Sequence, residues 1–213
     1  MQSEYAIAQM RALRHAQPGF QIAVAMSDIF SPNYKRYGIF GASESGKSTL
    51  AKKISAHFWT MEKRPSIVLD PVARDNWGGH AKVFGNDESF WRYIDLENQR
   101  DQKLVPKNCL VIVDDSSVTI NRDNALNGVF TVMRHKGHKL LVIGHSAQNL
   151  LPQMRHQLQR VFLFRQTLKS VDAWKDLFVT DSNLDVLSHL QQFQYATVAN
   201  HTDIEIFNLE KPV

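Results

Sequence analysis

The sequence is organised around one stretch, Gly41-Ala42-Ser43-Glu44-Ser45-Gly46-Lys47-Ser48-Thr49, which matches the pattern G-x-x-x-x-G-K-[ST] at every fixed position. The apolar residues 37–40 lead into it and are predicted to form a strand. After it, apolar residues recur with the spacing of one buried helix face, at Leu50, Ile54 and Phe58. A strand, this loop and a helix in succession form the context that a phosphate-binding P-loop requires.

Each fixed residue of the loop suits a triphosphate. Gly41 and Gly46 allow tight backbone turns, so that successive N–H groups and the helix N-terminus can point at phosphate oxygens. Lys47 is expected to reach the β- and γ-phosphates, and the Ser48 hydroxyl to ligate Mg²⁺. The sequence therefore predicts a site for ATP and Mg²⁺ built by residues 41–49.

The composition is that of one generous domain with a mild basic balance. The 213 residues are 43% hydrophobic, and 25 Lys and Arg with 9 His against 21 Asp and Glu favour anionic partners. A lone Cys109 excludes an internal disulfide and fits a reducing compartment. The longest early apolar run, residues 20–26, is too short for a membrane span and follows no signal-peptide pattern. We expect a soluble intracellular protein.

A second nucleotide-site element is predicted at residues 109–115, a dense apolar run ending in Asp114 and Asp115. Such a run is typical of a strand buried on both faces, where an acid pair is costly unless it meets a cation or polar partners. Asp114 is expected to hold Mg²⁺ through water, and Asp115 to act as the general base that activates the attacking water. Alternatively, Asp115 caps the following segment beside Ser116 and Ser117.

The remaining patterns predict an ATPase domain over residues 35–213 and a helix and strand appendage over residues 1–34. Further buried strands are expected at 66–69, 139–144 and 161–164, and an edge strand at 81–84. The apolar residues within 126–133 have helical spacing, and Gly137 is expected to terminate that helix. Asp70 either lies near the nucleotide or caps the following turn. The tail ends in a strand pair, 195–198 and 204–209, to which we assign no site residue.

An extra strand between the P-loop strand and the Asp114 strand, with a polar residue after the fourth strand, is typical of the ATPase branch of P-loop proteins. We therefore predict a three-layer α/β fold of the RecA/ASCE type, with a mostly parallel sheet in the order 5-1-4-3-2 and a C-terminal β-hairpin. GTPases fit less well because no guanine-reading N-K-x-D occurs, and kinases fit less well because no arginine-rich lid is apparent.

Between Arg134 and Ser170 the sequence has seven Lys or Arg residues, four His and no acid. A positive stretch of this kind can contact nucleic-acid phosphates or reach the ATP of a neighbouring subunit. Individual members can equally be solvated surface residues. For the segment as a whole we expect a phosphate-facing role.

Three segments carry a narrower resemblance: Arg134-His135, the strand over 140–143, and Leu151-Pro152-Gln153-Met154-Arg155. Together with the P-loop and the strand that ends in Asp114 and Asp115, these segments resemble the FtsK/HerA superfamily. Within it, they resemble the small genome-packaging ATPases of icosahedral viruses with an internal membrane. The likeness covers roughly residues 35–166. It departs at two places: His145 stands where the family's sensor Gln falls by spacing, with Gln148 three residues later, and Gln157 stands where an Asn commonly follows the Arg.

The resemblance implies a homo-oligomeric ring, a hexamer, that hydrolyses ATP at subunit interfaces and pulls DNA into a preformed capsid. It implies Arg134 or Arg155 as an arginine finger for the neighbouring subunit and His145 or Gln148 as the γ-phosphate sensor. Its partners would be the viral genome, capsid or portal vertex proteins and internal viral membrane proteins, in the host cytoplasm or at the packaging vertex of the virion.

Two alternatives remain. Filamentous-phage assembly ATPases share the Arg-His pair followed by a strand and Gln, but they usually carry a membrane span, and no apolar run of that length occurs in the sequence. A nucleotide or small-molecule kinase is the alternative from a different class. A kinase would stay small in solution and would not respond to DNA.

Overall fold

The structure is a computed structural model that describes residues 34–72, 76–96, 108–114, 137–178, 184–199 and 204–209. Its strands are β1 (Arg36–Phe40), β2 (Ser66–Leu69), β3 (Ala81–Phe84), β4 (Leu110–Val113), β5 (Lys139–Gly144), β6 (Arg160–Leu163), β7 (Gln194–Ala199) and β8 (Ile204–Asn208). Its helices are α1 (Lys47–Glu62), α2 (Asp87–Leu96), the single turn α3 (Pro152–Arg155) and α4 (Leu168–Lys175), with short 3₁₀ turns at Ala147–Asn149 and Leu184–Ser188.

The eight strands form one sheet in the order β3-β2-β4-β5-β1-β6-β7-β8. Strands β1 to β6 run parallel, and β7 and β8 continue the sheet as an antiparallel hairpin. Without the edge strand β3, the parallel part has the order β6-β1-β5-β4-β2. The predicted order 5-1-4-3-2, the edge strand and the C-terminal hairpin are all confirmed.

Helices cover both faces of the sheet, so its central strands are buried on two sides. Successive side chains of a strand point to opposite faces, and in β4 Leu110 and Ile112 join one apolar cluster while Val111 and Val113 join the other. The first cluster contains the buried face of α1, at Leu50, Ala51, Ile54 and Phe58. The second contains the buried residues of α2, α3 and α4, at Phe90, Ile94, Met154, Val171 and Trp174. The result is the predicted three-layer α/β architecture.

The carboxyl ends of the parallel strands lie at one edge of the sheet, where ligands of open α/β sheets bind. The register pairs Phe40 with Gly144 and with Leu163, so that the ends of β1, β5 and β6 are level. Leu69 of β2 likewise pairs with Val113 of β4. The loops after these strands are therefore neighbours, although they are far apart in the sequence.

Some sequence predictions fall outside the described residues: most of the appendage over 1–34, the helix over 126–133, Asp115, and the Arg134-His135 pair. The domain boundary at residue 34 stays a prediction for the same reason. Within the described ranges, no helix is both long enough and apolar enough to cross a membrane.

Candidate nucleotide-binding site

The P-loop begins where β1 ends, and its backbone is hydrogen-bonded to the end of β5 and to the segment that follows β6. The Gly41 N–H donates to the Gly144 carbonyl at 3.2 Å, and the Ala42 N–H donates to the Arg165 carbonyl at 3.1 Å. Glycine at position 41 is needed for space, because a Cβ there would lie 2.5 Å from the Cβ of Phe164. The start of the loop is therefore fixed by the sheet itself.

The Lys47 side chain is hydrogen-bonded to the backbone of the P-loop. The Lys47 side chain folds back so that Nζ donates to the Ala42 carbonyl at 2.7 Å, and the residue is only 9% exposed. Burying an ammonium is costly unless charged or polar groups compensate for the lost water. A phosphate oxygen supplies a full negative charge for that purpose, which a carbonyl does not.

The N-terminus of α1 has the properties of an anion site. Its N-cap is Gly46, which makes no side-chain cap hydrogen bond, and its first turn contains no acidic residue. The first N–H groups of a helix lack intrahelical partners and carry the positive end of the helix dipole. In addition, the Ser45 hydroxyl is buried and has no hydrogen-bond partner among the described residues. Bound phosphate oxygens would satisfy these donors, so the residues present fit a nucleoside triphosphate.

The residues predicted to hold Mg²⁺ are Ser48, half-buried in the first turn of α1, and Asp114, half-buried directly after β4. The Asp114 N–H donates to the Leu69 carbonyl at 2.9 Å, which fixes the backbone at the end of β4. No group of three or more His, Cys, Asp or Glu side chains suited to a metal occurs in the part of the chain that the structure describes. A Mg²⁺ ion held by one carboxylate, one hydroxyl, water and phosphate oxygens needs no such group. The assignment of Ser48 and Asp114 stays a prediction.

Asp70, directly after β2, is an acid for which the sequence left two possibilities, a place near the nucleotide or a cap of the following turn. Its Oδ1 accepts from the Val72 N–H at 3.2 Å, and its Oδ2 accepts from the Trp77 indole N–H at 3.1 Å. Asp70 is 3% exposed and Trp77 is buried in the cluster that includes α1. The carboxylate therefore caps the turn, as one of the two possibilities predicted, and also holds Trp77, a partner that the sequence did not indicate.

The two sensor candidates, His145 and Gln148, both follow β5 but have different neighbours. His145 is exposed and directly follows Gly144, whose carbonyl accepts from the first amide of the P-loop. Gln148 is also exposed, but its Nε2 donates to the Lys169 carbonyl in the first turn of α4 at 3.4 Å. His145 is therefore adjacent to the P-loop, whereas Gln148 connects to α4.

Arg155, one of the two finger candidates, is half-buried in its own subunit. Its Nη1 donates to the Ala173 carbonyl of α4 at 3.1 Å, while its Nε is buried without a hydrogen-bond partner in the described structure. Arg134, the other candidate, and the general-base candidate Asp115 lie outside the described residues. These three roles remain predictions.

The basic segment does not form one continuous surface. Lys139 is 6% exposed and pairs with Glu62 at 3.1 Å, and Arg160 is 4% exposed and donates to Thr197 at 3.3 Å. Both residues begin strands, at the edge of the sheet opposite to the P-loop. The prediction that the whole segment faces phosphate is therefore wrong for these two residues, because β5 and β6 draw them into the protein. Arg165 and Lys169 are exposed near the carboxyl edge.

Sequence reasoning also missed a contribution from the tail. The Gln192 side chain donates to the Glu44 carbonyl at 3.1 Å, and the Phe193 N–H donates to the Ser45 carbonyl at 3.2 Å. Both contacts join the turn before β7 to the P-loop. Nothing in the local sequence around Gln192 signals this role, because it depends on a hairpin that brings distant residues to the same edge.

No protein-family model and no curated protein sequence matches this chain. Among solved structures, it is similar to the genome packaging NTPase B204 from Sulfolobus turreted icosahedral virus 2 in complex with AMPPCP, with a TM-score of 0.67 and 16% identity, over 86% of this chain and 100% of that chain. The sulfate complex of the same NTPase gives a TM-score of 0.68 at 16% identity, over 86% of this chain and 98% of that chain.

A second group of similar structures consists of secretion ATPases. The cytoplasmic domain of the Thermomonospora curvata Type VII secretion ATPase EccC has a TM-score of 0.57 and 15% identity, over 84% of this chain and 24% of that chain. At such identities the likeness concerns the fold. The chain therefore shares its fold with these packaging and secretion ATPases.

Proposed function

We propose that this protein is an ATP-hydrolysing DNA translocase that packages a viral genome into a preformed capsid. The observation that carries the proposal is the P-loop itself. It combines a buried lysine, an uncapped helix N-terminus and a buried serine hydroxyl without a partner, and it lies on the same edge of the sheet as Asp114.

The fold supports the narrower part of the proposal. Several of the similar solved structures are of one viral genome packaging NTPase, including complexes with ATP-gammaS and AMPPCP. In the proposed reaction Lys47 and the P-loop amides bind the triphosphate and Asp115 removes the proton from the attacking water. Mg²⁺, held by Ser48 and Asp114, would neutralise charge on the phosphates. The sensor would be His145 or Gln148.

The working form would be a homo-oligomeric ring, a hexamer, with Arg134 or Arg155 reaching the neighbouring ATP. Its further partners would be capsid or portal vertex proteins and internal viral membrane proteins, in the host cytoplasm or at the packaging vertex of the virion. The runner-up functions are a filamentous-phage-type assembly ATPase and, from a different class, a P-loop nucleotide or small-molecule kinase.

The test is ATP hydrolysis with no DNA, with single-stranded DNA and with double-stranded DNA. We expect hydrolysis that DNA stimulates and that Lys47→Ala abolishes without unfolding the protein, because Lys47 is a phosphate ligand. Turnover at the wild-type rate in a folded Lys47→Ala protein would contradict the ATP site. Phosphate transfer to a small acceptor, without any response to DNA, would favour the kinase.

A salt titration tests the DNA contact. Binding should weaken with salt, with log K falling by about 0.7 to 0.9 per phosphate neutralised. Lys169→Ala should reduce that slope by roughly one such step. Arg92→Ala removes an exposed cation on α2, beside β2 and β3, and should leave the slope unchanged. Affinity that stays flat between low and moderate salt would argue against DNA on this surface.

A further inference from the structure

A three-residue turn directly before β7, residues 191–193, holds the outer side of the P-loop. The Gln192 Nε2 donates to the Glu44 carbonyl at 3.1 Å, and the Phe193 N–H donates to the Ser45 carbonyl at 3.2 Å. These bonds engage two consecutive carbonyl groups of the loop from the side of the tail. The 191–193 turn therefore belongs to the nucleotide site as much as to the hairpin.

One residue on each side of this pair of contacts has an unusual backbone. Phe193 has φ of 62° and Glu44 has φ of 59°, in the left-handed region that residues other than glycine seldom adopt. Such conformations persist only where surrounding contacts fix them, and they cluster at ligand clamps. Here the Leu209 N–H donates to the Phe193 carbonyl at 2.7 Å, and the Gln191 N–H donates to the Gln194 Oε1 at 2.9 Å.

The ring of Phe193 lies close to Gly46, the N-cap residue of α1. A Cβ at Gly46 would lie 2.8 Å from the Phe193 Cδ1, and 3.3 Å from both a Leu209 side-chain carbon and a Phe164 ring carbon. The ring is only half-buried by these contacts, and Gln191 and Gln192 beside it are exposed. A half-buried aromatic residue and two exposed glutamines, one of which donates to the Glu44 carbonyl, therefore lie next to the point where phosphate would bind.

The strand order indicates which part of a nucleotide comes to this side. β5 and β4 lie on one side of β1, and β6 and β7 lie on the other. Asp114 and the sensor candidates follow β4 and β5, so the γ-phosphate of a bound nucleotide would face that side. The ribose and base would then leave the P-loop toward β6 and β7, where the 191–193 turn lies.

We propose that the 191–193 turn forms the nucleobase subsite of the ATP site, with the Phe193 ring as the apolar support for the base and the Gln192 amide as a polar contact. The subsite rests on the proposed nucleotide-binding function. Its ligand class is a nucleotide with an aromatic base, because an aromatic ring offers a stacking surface and a glutamine amide both donates and accepts hydrogen bonds.

The experiment compares a ligand that has a base with one that has only phosphates. Binding of a non-hydrolysable ATP analogue and of inorganic tripolyphosphate, both with Mg²⁺, is measured by calorimetry on wild type, Phe193→Ala, Phe193→Leu and Gln192→Ala. Gln153→Ala, an exposed glutamine on α3, is the matched control. Phe193→Leu keeps an apolar contact with Gly46 but removes the aromatic face, so it remains informative where the alanine variant unfolds.

We expect Phe193→Leu to weaken the ATP analogue roughly 5- to 100-fold, in the range that loss of one base-stacking contact produces. Tripolyphosphate affinity should change by less than about twofold, as should both affinities of Gln153→Ala. Equal weakening of the two ligands would overturn the subsite, because the turn would then only position the P-loop. An unchanged affinity for the ATP analogue would overturn it too. Wild-type protein that binds neither ligand would instead refute the proposed nucleotide-binding function, and the subsite with it.

Discussion

At the scale of single residues, the candidate site is characterised by two buried polar side chains, Lys47 and Ser45, next to the N-terminus of α1. Lys47 is 9% exposed and Ser45 is 6% exposed, and the Ser45 hydroxyl has no hydrogen-bond partner in the described structure. Buried polar groups are normally paired, so a hydroxyl of this kind calls for an explanation. A phosphate group that accepts from the loop provides one, and it also offsets the cost of burying the ammonium.

Asp114 and Asp115 are predicted to have different roles, which substitution separates. Asp114→Asn should lower Mg²⁺ affinity, because it removes the charge of a metal-binding carboxylate. Asp115→Asn should leave ATP bound but slow hydrolysis by roughly 10²- to 10⁴-fold, the usual worth of general-base catalysis. The measurement is turnover against Mg²⁺ concentration for both variants. If excess Mg²⁺ rescues the Asp115 variant and not the Asp114 variant, the two roles are reversed.

The sequence signals candidate site residues that belong to a local pattern, and it does not signal contacts that depend on the tertiary fold. The loop over 41–49 and the acid after β4 could be predicted because neighbours in the chain determine their chemistry. The bond between Asp70 and Trp77, and the contact between Gln192 and Glu44, depend on how separate loops meet at the sheet edge. For the same reason Lys139 and Arg160 were assigned to a phosphate-facing segment, although strand ends hold them in the interior.

At the scale of elements, the strands were predictable because parallel strands buried on both faces have few polar residues. Every residue of β2, β4, β5 and β6 is buried, which explains their continuous apolar runs. Charged residues occur in these strands only at the first position, as Lys139 and Arg160. The short 3₁₀ turn over Leu184–Ser188 was less predictable, since its three buried apolar residues resemble a longer helix face.

The hairpin adds an aromatic cluster close to the P-loop. The Tyr195 ring lies 5.4 Å from Phe164, 5.6 Å from Phe207 and 5.9 Å from Phe162, between ring centroids. Burial raises the pKa of Tyr195 to about 12 and also raises the pKa of Tyr37 in β1. Phe164 in turn fills the space that a Cβ at Gly41 or Gly46 of the loop would need. The cluster therefore links the folding of the hairpin to the shape of the nucleotide site.

This cluster predicts a loss of stability in alkaline solution. Because the Tyr195 pKa is raised in the folded state, the unfolded state ionises first, and the free energy of unfolding falls as pH increases from about 10 to 12. Tyr195→Phe should make that decline shallower by about 1.4 kcal/mol per pH unit. Denaturant titrations at several pH values measure the free energy of unfolding of both proteins. The difference in this free energy at pH 8, where tyrosine is not ionised, serves as the control for changed packing. Parallel pH profiles would contradict the prediction.

At the scale of the whole molecule, the order of the strands determines which surfaces can complete the site. The edge strand β3 lies at one end of the sheet and the hairpin at the other, while the P-loop strand is central. Because the P-loop follows β1 at the carboxyl edge of the sheet, we expect a residue from another subunit to approach bound ATP across that edge. The proposed ring places Arg134 or Arg155 of a neighbour there.

Mixing experiments can identify the arginine finger. Arg134→Ala subunits and Lys47→Ala subunits should each be inactive, since fingers supplied in trans are worth roughly 10³- to 10⁵-fold in GTPases. Mixed rings should regain hydrolysis, because some interfaces then combine an intact P-loop with an intact arginine. Arg134 is the first choice because Arg155 already donates to Ala173 in its own subunit, and losing that bond would also cost stability, about 1 kcal/mol.

The first control shows that subunits exchange, which is monitored as a size change of labelled rings. The second control is the same mixing experiment made with Arg155→Ala in place of Arg134→Ala. If subunits exchange but only the Arg155 mixture regains activity, the finger is Arg155. If neither mixture does, neither arginine acts on the ATP of a neighbouring subunit.

The bond from Gln192 to Glu44 spans 148 residues of sequence. During synthesis on a ribosome the P-loop appears early, but the residues that hold it emerge only near the completion of β7 and β8. A partly made chain can thus display the whole phosphate-binding motif and still lack the contacts that shape it. On the proposed function, a chain that ends before the 191–193 turn should therefore bind ATP more weakly than the full chain does.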